Sequence, residues 1–157
     1  MKKTNNKGFS LVELIVVVAI MAVLMVVVAP QMLKYVDKTR VQRDNSAVSE
    51  IANAAKIAMA DQDIYDEVYK TASKSTTITF DATNYKIDYT STTGKLKTEL
   101  TNVIGADVVL NSSVYKSARP TITVAITGTP ERVVVSAATM VKNDGVTQDG
   151  NAGTVTY

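Results

Sequence analysis

The residue most able to do chemistry is Glu13, an acid set inside an otherwise apolar run. Between residues 9 and 29 the only polar side chains are Ser10 and Glu13. A carboxylate at the centre of a membrane helix costs about 2.5–3.5 kcal/mol, so Glu13 calls for a cationic partner. The rest of the inventory excludes much. The chain has no Cys, no His and no Trp. Thiol nucleophiles, Ser-His triads and imidazole or thiolate metal sites are therefore ruled out, and with them a disulfide. Two acidic groups resemble cation loops only loosely. Asp61, Asp63, Asp66 and Glu67 lack the Gly and the distal Glu of an EF-hand. Asp144-Gly145 and Asp149-Gly150 read more simply as turns. No metal or other cofactor is expected, nor an enzyme. Asn111-Ser112-Ser113 fits the glycosylation acceptor pattern, which is common by chance.

The element that must position Glu13 is a helix. Residues 9–29 at ~1.5 Å each reach roughly 31 Å, close to the ~30 Å hydrocarbon core of a bilayer. Lys2, Lys3 and Lys7 precede the run, with no acid among them. Such a flank stays cytoplasmic, so the remainder of the chain should be exported. Three readings of this start compete. It could be a secretory signal cut after the run, although Val27-Val28-Ala29 matches an A-x-A site poorly and Pro30 follows directly. It could be an uncleaved anchor, which leaves Glu13 and the abrupt Gly8-Phe9 step unexplained. Or the chain is processed at Gly8-Phe9, ahead of the apolar run.

Lys7-Gly8-Phe9-Ser10-Leu11-Val12-Glu13-Leu14 resembles the prepilin motif of type IV pilins and pseudopilins. That pattern is a basic leader ending in Gly, then Phe, then Glu four residues on, then an apolar helix interrupted by a Pro such as Pro30. The resemblance implies removal of residues 1–8 by a prepilin peptidase and N-methylation of Phe9. Gly8 suits such a cut because it carries no Cβ. The new amine, with a reference pKa of about 7.7–8.0, would be mostly cationic. Phe9 and Glu13 would share a helix face. Glu13 could then satisfy its own Phe9 amine, or face that of a neighbouring subunit; the family favours the second. Many relatives from diderm bacteria carry a disulfide that this chain lacks.

Beyond Pro30 the pattern becomes one-sided. Leu33, Val36, Val41, Val48, Ile51, Ala55, Ala58 and Met59 recur near helical spacing, with Lys34, Lys38, Arg43, Asp44, Glu50 and Lys56 on the other faces. This predicts one helix from Phe9 to about Ala60, with Pro30 as a kink. Residues 61–67 hold its end or a short second helix. Residues 76–80 and 85–89 read as a hairpin, and 95–104 as a short helix stopped by Gly105. Residues 120–127 and 132–138, split by Gly128-Thr129-Pro130-Glu131, form the strongest hairpin, with Val124, Ile126, Val133 and Val135 for a core. Residues 154–157 would close the sheet as an edge strand. The expected fold is α+β: a long N-terminal helix, half membrane and half amphipathic, packed on a small antiparallel β-sheet head (the pilin fold).

The expected domains are a leader (1–8), a transmembrane and filament-core helix (9–30) and a head (31–157). About 128 residues follow the span, enough for one small domain. The full chain has 17 Lys and Arg against 15 Asp and Glu, and the leader holds three of the bases, so the rest is near neutral. No basic stripe points to nucleic acid. The expected function is a filament subunit, made as a single-pass precursor in the cytoplasmic membrane with the head outside, and ending in an extracellular pilus. The resemblance implies a homo-oligomeric filament, a prepilin peptidase, an assembly ATPase and a platform protein. Two alternatives stand beside it. One is a pseudopilin of a type II secretion or competence system. The other is a single-span, surface-anchored binding module that does not polymerise.

Overall fold

The computed structural model describes residues 8–92, 94–140 and 153–156. The chain divides into two compact units, Met1–Val36 and Asp37–Tyr157. Helix α1 (Leu11–Ala58) begins in the first and ends in the second. Its first part is rich in valine, a weak helix former in water. In a bilayer the balance reverses, because only a helix satisfies its own backbone there. Every large apolar side chain from Phe9 to Val36 is exposed, and the helix is long and apolar enough to cross a membrane. Glu13 in the first turn and Lys56 in the last complement the helix dipole. Pro30 lies inside α1 and does not end it.

In the second unit α1 buries Val41, Asp44, Val48, Ile51, Ala52, Ala55 and Ala58, a stripe at helical spacing. Two expectations fail here. Leu33 and Val36 do not join the stripe; Leu33 is 72% exposed, and packing starts at Val41. Asp44, assigned to the polar side, is only 1% exposed and belongs to the buried face. The reason is a set of backbone donors from a distant loop, described below.

Helix α1 ends at Ala58, and a separate helix α2 (Gln62–Tyr69) follows. Asp61 makes the break: its carboxylate accepts the N–H groups of Asp63 at 2.8 Å and Ile64 at 3.3 Å, starting the new helix. Strand β1 (Ser75–Phe80) alternates, burying Thr76, Ile78 and Phe80. It pairs with β2 (Ile87–Asp88), shorter than the 85–89 expected, through Phe80↔Ile87 and Thr79↔Asp88. The Asp81 carboxylate accepts the Thr83 and Asn84 N–H groups and fixes the turn between them.

Helix α3 (Gly94–Val103) buries Leu96 and Leu100 and stops where expected, with Gly105 at φ +88°. Helix α4 (Ser113–Ala118) has no counterpart in the sequence reading. Strands β3 (Thr121–Thr127) and β4 (Arg132–Met140) form the expected hairpin around Gly128, at φ +92°. Val124, Ile126 and Val135 are buried; Val133 is half-buried against the core. Strand β5 (Gly153–Thr156) lies on the outer edge of β4.

Among the described residues the sheet has five strands in the order β2-β1-β3-β4-β5, all neighbours antiparallel. The β1–β3 pairing, Ile78↔Ile122, joins the two hairpins. One core holds the α1 stripe together with Ile64, Val68, Leu96, Leu100, Leu110, Tyr115 and the inward residues of the sheet. The fold is α+β, a long helix packed on a small antiparallel sheet.

Candidate functional site

Gly8, Phe9 and Glu13 lie at the entry to α1. Phe9 is 88% exposed. A Cβ added at Gly8 would meet nothing within 4 Å. Among the described residues, packing does not require glycine at position 8.

Glu13 has a partner inside its own chain. Its Oε2 accepts the Ser10 N–H at 2.9 Å, while Ser10 Oγ accepts the Val12 N–H at 3.4 Å. The first helical bond, from Leu14 N–H to the Ser10 carbonyl, is 3.2 Å. Ser10-Leu11-Val12-Glu13 is thus a capping box, S-x-x-E, satisfying donors that a helix start leaves free. The spacing was visible in the sequence, but the membrane reading drew attention to charge and not to caps. In the full-length sequence the residue 9 nitrogen is a peptide nitrogen. Glu13 and Phe9 are brought to the same end of α1, with the second carboxylate oxygen free among the described residues.

Two curated relatives, each described as a fimbrial protein of Pseudomonas aeruginosa, are 32% identical to this chain over 146 residues. The match covers 90% of this chain and 82% of each relative. This chain belongs to the type IV pilin family. The family described as the prokaryotic N-terminal methylation motif matches residues 3–29, the stretch that holds Gly8, Phe9 and Glu13. No solved structure matches. Pilins are structural proteins, and the rest of this one's acidic chemistry fits that role.

The first acidic cluster of the pilin serves its fold. Asp61 caps α2, and Gln62 donates to Asp66 at 2.8 Å. Asp63 takes Lys95 Nζ at 2.8 Å, which holds its carboxyl below the usual range and raises the lysine. Glu67 accepts the Gly94 and Lys95 N–H groups at 2.9 Å each. Among the described residues no group of acids could hold a metal ion. Asp144 and Asp149 lie outside them. Asn111 is exposed, but its Nδ2 donates to the Val109 carbonyl and its backbone is tied to α1, while Ser112 is buried as the N-cap of α4.

Proposed function

We propose that this pilin is the repeating subunit of a surface filament. It is made as a single-span precursor with the head outside the cytoplasmic membrane. A prepilin peptidase removes residues 1–8 and methylates Phe9, and the helix 9–30 becomes the filament core. The observation that carries this is the wholly exposed apolar part of α1 with one acid, Glu13, at its start. Lipid covers such a surface before assembly and other copies cover it afterwards. Because lipid already solvates the helix, packing and charge pairing drive the exchange more than water exclusion does.

Cleavage exchanges Glu13's partners. In the precursor the carboxylate caps its own helix. Once Phe9 carries an amine, a neighbouring copy's cation competes for the same oxygens in a low dielectric, where each charge alone is costly. Pro30 removes one backbone donor from the helix and is the point at which α1 loosens in the packed filament. An assembly ATPase and a platform protein lift the subunit out of the membrane. N-terminal mass spectrometry of sheared surface material tests the proposal. Methyl-Phe9 in a high-molecular-weight fraction supports it; an intact Met1, or a soluble monomer trimmed beyond Ala29, refutes it.

A further inference from the structure

A groove of about 1060 Å³ runs along the second part of α1 beside α3. It exceeds a usual small-molecule pocket, ~300–1,000 Å³. Its lining holds three acids, Glu50, Asp61 and Glu99, and no base. Asp61 is engaged in capping α2, and among the described residues Glu50 and Glu99 make no ion pair. The same lining holds Ile57 and Val103, 74% and 63% exposed, together with buried Leu100. The surface is acidic and apolar together.

Its complement lies on the same helix. Residues 33–43 carry Lys34, Lys38, Arg40 and Arg43 against the single acid Asp37, which lies 3.9 Å from Arg40. Lys34 and Lys38 are one turn apart on one side. Tyr35 is exposed next to Lys38, past the residues 9–29 that match a bilayer's thickness. Lys38 and Glu50 are twelve positions apart on a continuous helix, roughly 18 Å, so neither surface can cover the other within one chain.

We infer that the groove receives residues 34–40 of α1 from a second copy of this chain, with Lys34 and Lys38 facing Glu50 and Glu99. Tyr35, beside Lys38 on the helix surface, then covers Ile57 and Val103. Two different patches of one chain make a heterologous contact, which repeats without closing. The charges set the axial register of the copies. The inference rests on the filament reading and adds to it which surfaces meet.

The chain's lack of cysteine allows a clean test. Lys38→Cys with Glu99→Cys, in full-length protein displayed on cells, should give a ladder of multimers when sheared filaments are treated with a short bismaleimide. Each single variant should give none. Filaments that form without a ladder overturn the inference, as does linkage of Glu99→Cys to some other protein. Should the pair not assemble, charge reversal decides. Glu50→Lys with Glu99→Lys should lower filament yield about tenfold or more, and adding Lys34→Glu with Lys38→Glu should restore it. Unchanged yield, or no restoration, also overturns it. Wild-type filaments prepared in parallel separate the two ideas: if they are absent, the filament reading itself falls.

Discussion

Asp44 on α1 accepts the backbone N–H of Ser112 at 2.8 Å, across 68 positions of sequence. The same carboxylate takes the Asn111 N–H at 3.1 and 3.0 Å on its two oxygens. One buried acid thus pins the loop that starts α4 to the long helix. The neighbouring Asn45 reinforces the joint by accepting the Tyr115 hydroxyl.

Asp44→Ala leaves two buried or half-buried N–H groups without an acceptor. The expected loss is about 2–4 kcal/mol, a large share of a typical ~5–15 kcal/mol. Asp44→Asn keeps one acceptor and should lose roughly half as much. Urea denaturation of the full chain in detergent checks both. An alanine variant as stable as wild type would show that the loop is held by apolar packing alone.

Glu67 joins α2 to the start of α3 by accepting the Gly94 and Lys95 N–H groups. It acts as an N-cap supplied from another helix. Glu67→Ala should cost about 1–2 kcal/mol, the range for loss of a cap. The damage should be local: amide hydrogen exchange at Gly94 and Lys95 speeds up, while β3 and β4 keep their protection.

Tyr89 gives the second unit an alkaline limit. Its hydroxyl donates to the Gly105 carbonyl at 3.0 Å, and burial pushes its pKa up to about 12. The fold therefore favours the neutral phenol. That stabilisation is complete below the unfolded value of about 10 and is lost as pH rises through about 12. Tyr89→Phe should lose about 1 kcal/mol near neutrality and show a flatter decline in strong alkali. Denaturant midpoints measured from neutral pH upward test the difference in slope.

Features fixed by near neighbours were legible in the sequence. Gly105 ends α3 and Gly128 turns the β3–β4 hairpin because each takes a positive φ beside a recognisable run. The exposed apolar part of α1 follows from its length and composition. Asp44 was not legible, since an acid on a helix reads as solvated unless its partners are known, and these lie at 111 and 112. Helix α4 was missed for a related reason: Ser112 works as a cap, while its triplet drew attention as an acceptor pattern. The β1–β3 pairing depends on chain closure over more than forty positions, which no local signal reports. At the candidate site the sequence pointed to Gly8, Phe9 and Glu13, but the Ser10 N–H that Glu13 accepts was not foreseen, because charge and not capping was read from that spacing.

That partner makes Glu13 testable in a way that a simple deletion is not. Glutamine can stand at the last position of a capping box, so Glu13→Gln should still accept the Ser10 N–H and start α1. It cannot supply a negative charge. If Glu13 serves only the helix start, the glutamine variant should form filaments normally. If it also meets a neighbour's Phe9 amine, that variant should insert and be processed as wild type yet yield far fewer filaments. Glu13→Lys should also insert, but it places like charges together and should yield none. Membrane fractionation, N-terminal mass spectrometry and sheared-filament yield separate these steps. Normal filaments from Glu13→Lys would sink the charge pairing outright, because no rearrangement of the cap can turn a lysine into the amine's partner.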